Sequence, residues 1–148
     1  MVNLPPPVWT VFYLIAATIA SVLYPWKGIT DLTVLPVGIA FIALGFALAF
    51  WAASLFRAQG TELNPVSAQN KKLVIQGPFA YTRNPMYLGL VLVSLGIAFC
   101  TGSLPMFAVP VLVFLTANFV HIPFEEAKMR RQFADAFEAY TRTVRRWV

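Results

Sequence analysis

Polar and apolar positions in this 148-residue chain are sorted into long blocks. Four blocks carry no charged side chain: residues 8–24, 34–56, 86–100 and 104–120. A helix crossing a bilayer takes about 17 to 25 mostly apolar residues, and the first two blocks meet that length outright. The last two are shorter and are separated only by Thr101, Gly102 and Ser103. They predict a tight helical hairpin that crosses by borrowing flanking residues or by local thinning of the bilayer. The pattern therefore predicts an all-α integral membrane protein of about four transmembrane helices, with spans three and four as the hairpin. An even number of spans brings the two polar blocks, residues 57–85 and 121–148, to one face of the membrane. In the second, Met129, Phe133, Phe137 and Tyr140 recur at helical spacing. They predict an amphipathic cytoplasmic helix lying against the membrane face or the bundle.

Composition strengthens this reading: 59% of residues are hydrophobic and 11% charged, with mean hydropathy +0.70. Soluble domains have roughly 25% charged residues, so a water-soluble core is excluded. Residues 1–148 are expected to form one domain, with two N-terminal spans (1–56) and a more polar region carrying the hairpin (57–148); no internal repeat is visible. The first seven residues hold no basic side chain, which argues against a cleavable signal.

The net charge of +5 is unevenly placed. Only Lys27 falls in the first connection. Arg57, Lys71, Lys72 and Arg83 follow span two, and Lys128, Arg130, Arg131, Arg142, Arg145 and Arg146 follow span four. By the positive-inside rule this asymmetry predicts a multi-pass protein, of the bacterial inner-membrane type, with both termini cytoplasmic. Basic residues beside spans, with no base-reading helix, give no reason to expect nucleic acid. Trp9, Tyr24, Trp26 and Trp51 fall near span ends, where amphipathic rings suit the headgroup zone. The lone Cys100 and lone His121 fall short of a metal-ligand set, so no metal is expected. Dinucleotide-binding and phosphate-loop glycine motifs are absent.

Residues 57–85 are too long and too varied for a bare connector. They run through Gly60-Thr61 and Asn64-Pro65 to Gly77-Pro78, and then into Phe79-Ala-Tyr-Thr-Arg-Asn-Pro-Met-Tyr87. Asn84-Pro85 is a good start for span three, since Asn caps and Pro suits the first helical position. A helix N-terminus also offers free N–H groups to an anion, and Arg83 beside it adds a bidentate clamp or simply a headgroup contact. Gly77-Pro78 reads as a turn or as a close backbone approach to a ligand. Glu125 and Glu126 at the exit of span four either complement the helix dipole and pair with Lys128 and Arg130, or are kept for function, carboxylates near hydrocarbon being expensive. His121 has three readings: general base, headgroup contact, or satisfied polar residue at the interface.

At these positions the chain resembles the isoprenylcysteine carboxyl methyltransferase and phospholipid methyltransferase superfamily, in particular its short bacterial members. The matching pieces are Gly77-Pro-Phe-Ala-Tyr-Thr-Arg-Asn-Pro-Met-Tyr-Leu-Gly89, then Glu125-Glu126 followed by Phe133, Tyr140 and Arg145-Arg146-Trp147. Two departures are visible: Phe133-Ala134 where the family often has Phe-Gly, and Phe137 where it has Tyr. The resemblance implies S-adenosylmethionine bound at the cytoplasmic end, between the loop before the hairpin and the helix after it. Gly77, Tyr81, Arg83, Asn84, Pro85, Tyr87, Glu125 and Glu126 would hold the cofactor. Arg83, Glu126 and Arg145 would act on the acceptor, a hydrophobic or lipid-like molecule entering from the bilayer. With only two spans before the motifs, the substrate tunnel is either shortened or completed by a second copy, making a homo-oligomer. A nicotinamide-dependent membrane reductase and a non-enzymatic membrane interaction protein remain as alternatives.

Overall fold

Each α-helix among the described residues has proline at its first or second position: Pro6, Pro36, Pro85, Pro105 and Pro123. There the missing N–H costs nothing and the fixed φ favours the first turn. The computed structural model describes residues 4–23, 32–58 and 73–148. Tyr24, Trp26, Lys27, Gly60-Thr61, Asn64-Pro65 and Lys71-Lys72 lie outside the described residues.

The elements are α1 (Pro6–Leu23), α2 (Leu35–Ala58), a 3-10 turn (Gly77–Ala80), α3 (Pro85–Thr101), α4 (Leu104–Thr116), a π-helical bulge (Ala117–His121) and α5 (Ile122–Thr143). Among the described residues there is no strand, and the chain is an all-helical membrane protein. Among the described residues three helical runs hold a stretch long and apolar enough to cross a membrane: α1, α2 and the run from Leu104 to Thr143, whose uncharged part is residues 104–120. The remaining apolar helix, α3, has 17 residues, about 25 Å of rise against roughly 30 Å of hydrocarbon. It turns into α4 as the sequence pattern predicts. Gly102 closes α3 in the left-handed region (φ 63°), its N–H bonded to Ala98 O at 2.9 Å.

Lipid gives helices no hydrophobic reason to associate, so close packing and interhelical hydrogen bonds hold them. Between α2 and α3 the packing is backbone to backbone. Gly38, Gly45 and Ala52, seven residues apart, form one buried stripe on α2. A Cβ at Gly45 would lie 2.6 Å from Gly89 O, and one at Gly96 2.6 Å from Gly38 O. The outer face of α2 presents Leu44, Phe46 and Phe50. Hydroxyls join α1 to α4: Tyr13 OH meets Thr116 Oγ1 at 2.7 Å, and Ser21 Oγ meets Ser103 Oγ at 2.6 Å. Thr18 and Ser21 also donate to carbonyls one turn back, so these polar side chains are satisfied inside an apolar helix.

The bulge has a covalent cause. Pro123 has no N–H to give the carbonyl of Phe119, so regular i to i−4 bonding cannot continue through this point. Helix α5 is itself two helical pieces meeting at Ala134, which sits at φ 40°, ψ −116°. Despite that break, the predicted stripe forms one cluster: Phe137 and Tyr140 are buried with Val144, and Met129, Phe133 and Leu73 pack against them.

Candidate active site

The site forms where α2 ends, α3 begins and α5 passes. Gly77 starts the approach at φ 61°, and a Cβ there would sit 2.7 Å from Leu55 Cδ1 and 3.3 Å from Trp51. Both the conformation and the contact require glycine. Phe79 follows, buried and edge-on to Phe56 of α2 at 5.3 Å. Tyr140 of α5 donates its hydroxyl to Phe79 O at 2.7 Å, tying α5 to the turn. Burial pushes the Tyr140 phenol up to about 12, with Arg83 opposing, so it stays a neutral donor.

The C-terminal tail completes the frame. After α5, Val144 is extended (φ −120°, ψ 131°) and the chain runs back beneath the start of α3. Arg83 N donates to Arg145 O at 3.0 Å, while Thr82 Oγ1 and Asn84 Nδ2 both donate to Arg146 O, at 3.2 and 2.9 Å. Asn84 therefore precedes α3 as predicted, but its side chain makes no cap hydrogen bond and holds the tail instead.

Glu126 is the centre of charge. Its Oε1 accepts from Arg83 Nη2 at 2.9 Å and from Arg146 Nε at 3.2 Å, and its Oε2 accepts from Arg146 Nη2 at 2.7 Å. The Arg146 contact is the bidentate fork that makes arginine–carboxylate pairs strong. Side chains of Arg83 and Glu126 are 13% and 8% exposed, so that pair is poorly screened; Arg146, at 34%, is partly in solvent. Arg83 Nε is buried with no partner.

Glu125, adjacent in sequence, is held differently. Its Oε1 accepts the Tyr87 hydroxyl at 2.6 Å. Burial pushes its carboxyl up to about 7, against the opposing pull of the Tyr87 hydrogen bond and Lys128, with Glu126 adding to the rise. Two neighbouring carboxylates thus have separate environments: Glu126 paired with two guanidiniums, Glu125 held by a phenol and raised by burial.

These groups line one cavity of about 690 Å³ of atom-free space, part of it continuous with the exterior. Its polar wall is Arg83, Asn84, Glu125, Glu126 and the Tyr87 and Tyr140 phenols; Phe56, Val74, Met86, Met129 and Phe137 make much of the rest. Of the expected cofactor residues, Arg83, Asn84, Pro85, Tyr87, Glu125 and Glu126 come together here. Gly77 does not line it, and Tyr81 is 77% exposed. Arg145, expected to act on the acceptor, is exposed as well and does not line the cavity, while its neighbour Arg146 pairs with Glu126. Arg130, expected to pair with the acids at the start of α5, pairs instead with Glu138 at 2.8 Å.

His121 is neither at the surface nor satisfied. It is 4% exposed, lies against the Tyr87 ring at 6.2 Å between centroids, and its Nε2 has no partner. It borders a smaller cavity with Thr10 and Thr116 on the other side of Tyr87. The residue that sequence reasoning missed is Asn118, whose Oδ1 accepts from Trp147 Nε1 at 3.1 Å and Arg146 Nη1 at 3.4 Å. Its signal was available: a lone amide near the end of an apolar block is costly unless paired.

No curated protein and no solved structure matches this sequence. The sequence profile described as phospholipid methyltransferase does match, over residues 33–136. That span takes in the α2–α3 packing, the hairpin, the bulge, Arg83 and both glutamates, with the tail beyond it. The chain belongs to the phospholipid methyltransferase family, whose name describes methyl transfer to membrane-associated substrates.

Proposed function

We propose that this chain is a S-adenosylmethionine-dependent methyltransferase acting on a hydrophobic or membrane-embedded acceptor at the cytoplasmic face. The observation that carries the reading is the cavity that sets the Arg83–Glu126 pair, with Arg146 behind it on Glu126, against an apolar wall at the end of the membrane-spanning helices. The donor set fits the methyl donor: a buried, unpartnered Arg83 Nε–H suits a carboxylate, and Phe and Met side chains suit a purine face. When bound, S-adenosylmethionine supplies a methyl group on a sulfonium, whose carbon–sulfur bond breaks as an acceptor lone pair forms the new bond.

The chain's own part is positioning, exclusion of water and handling of charge. Alignment of reacting groups can supply about 7 to 11 kcal/mol of barrier lowering, so no covalent enzyme intermediate is needed. Arg83 and Asn84, fixed by the tail, hold the anionic end of a ligand at the start of α3. Glu126, paired on both oxygens, keeps the two guanidiniums in place. Glu125, in contact with Tyr87 OH, takes the proton that a protic acceptor releases. The apolar wall admits an acceptor from the bilayer, which accounts for a soluble methyl donor and a membrane fold in one protein. The excess of Lys and Arg after spans two and four supports a cytoplasmic site.

The test is transfer of labelled methyl from S-adenosylmethionine into native membrane lipids or small hydrophobic amines, thiols and acids by the purified protein. Label should enter the organic phase and be lost in Arg83→Gln. Thermal stabilisation by NADPH, with none by S-adenosylhomocysteine, would transfer the reading to a reductase.

A further inference from the structure

The expected site residues account for Arg83 and Glu126, but not for what keeps Arg146 in its fork with Glu126. That guanidinium belongs to a tail of a few residues after the end of α5, beyond the portion of the chain that matches the family. A short extended tail has too little of its own to stay ordered. Its backbone is tied to the start of α3 through Arg145 O and Arg146 O. Its side chains are tied to the π bulge, at Asn118. One oxygen there, Asn118 Oδ1, receives both the Trp147 indole N–H and Arg146 Nη1. The Trp147 ring then packs on Phe114 at 4.6 Å and against the cluster of Tyr87, Ala117 and Ile122.

We infer that Asn118 is a positioning residue for the site, latching the tail to the end of span four so that Arg146 holds Glu126 and, through it, Arg83. The bulge is what makes the latch available. A π turn interrupts the regular winding of the helix, and such turns recur at functional sites. Here it sits in the same turn that Pro123 prevents from being regular. The indole N–H is the shorter of the two donors to Asn118 and fixes the tail's position; the Arg146 contact fixes the guanidinium plane. Asn118 is not placed to touch the acceptor or the methyl donor, since it does not line the main cavity.

The consequence is that the site's electrostatics depend on an amide outside it. Replacing Asn118 by Leu keeps approximate volume and removes the acceptor. Arg146 then loses one of its anchors, and Glu126 keeps only the Arg83 bond at full occupancy. Asn118→Asp keeps an acceptor oxygen for both donors and should preserve the arrangement.

Two readouts on the full-length protein in detergent separate positioning from general stability: S-adenosylhomocysteine affinity by calorimetry, and amide exchange of the peptide containing Arg83, whose N–H is held by Arg145 O. The affinity readout rests on the proposed methyl donor; the exchange readout does not. Asn118→Leu is expected to weaken binding by roughly five- to tenfold, the scale of one ordinary hydrogen bond lost. It should also speed exchange at Arg83 while the α2–α3 peptides keep wild-type protection, and Asn118→Asp should restore both. Unchanged affinity and unchanged exchange at Arg83 in Asn118→Leu would overturn the inference. If wild type binds no S-adenosylhomocysteine, the methyl-donor reading fails and the exchange readout alone decides the latch. Should Asn118→Leu lose its fold, Trp147→Phe removes the shorter donor while keeping the ring on Phe114, and is judged by the same two outcomes.

Discussion

Glu125 and Glu126 are sequence neighbours with opposite circumstances, and the difference is set by single contacts. Glu126 meets two arginines; Glu125 meets a phenol and is raised from 4.5 to about 7 mainly by burial. The sign of the pH effect follows. Between about 4.5 and 7 the folded protein keeps a proton on Glu125 that the unfolded chain gives up, so this group makes stability fall as pH rises through that window and leaves it level above. Thermal unfolding midpoints of wild type, compared with Glu125→Gln across that window, should show the variant gaining relative to wild type as pH rises. A difference independent of pH would contradict the assignment. Sequence order alone made both acids candidates. It gave no means of separating them, because their partners Tyr87, Arg83 and Arg146 come from other elements. The choice between Arg145 and Arg146 was hidden for a related reason. The chain becomes extended at Val144, where successive side chains alternate, so neighbouring arginines part company and only the fold shows that Arg146 reaches Glu126.

At the scale of elements, the apolar blocks, the hairpin turn and the stripe of α5 were legible, since each rests on local periodicity and chain length. What could not be read was which helices touch backbone to backbone. The Gly38, Gly45 and Ala52 stripe meets Gly89 and Gly96, and that pairing joins residues about forty to sixty positions apart. Gly45→Ala should force α2 and α3 apart at a point where a Cβ has 2.6 Å to a carbonyl oxygen. A loss of about 1 to 3 kcal/mol is expected, measurable by unfolding in mixed detergent. A neutral result would mean that the helices do not meet there. Helix α5 offers the reverse case. Ala134 occupies φ 40°, ψ −116°, a region that L side chains avoid at a cost of about 1 to 2 kcal/mol. Ala134→Gly relieves that strain but adds unfolded-chain entropy, for a net gain of about 0.5 to 1 kcal/mol. The same unfolding measurement decides it: a variant less stable than wild type would remove the claim that α5 breaks here.

For the whole molecule, the useful prediction from sequence was convergence of two polar blocks on one face, and the cavity lies where they meet. Span counting and charge asymmetry were enough for that, because a membrane restricts a chain to few arrangements. The interior of the site was much less legible. Its polar groups come from the turn before α3, two acids on α5 and a tail that folds back, and only the resemblance to the methyltransferase superfamily tied the first two together. The tail and Asn118 depend on the π bulge, a break in periodicity that apolar patterning does not register.

The central claim, that the Arg83–Glu126 cavity is a site for the methyl donor, is tested most directly by calorimetric titration of the purified protein with S-adenosylhomocysteine. Wild type is predicted to bind at a single saturable site. Glu126→Gln should bind at least about tenfold more weakly, the cost of uncoupling a charge-assisted pair. Arg130→Gln, which loses only an exposed pair with Glu138, should bind as wild type does. No binding by wild type, or equal binding by wild type and Glu126→Gln, would contradict the account.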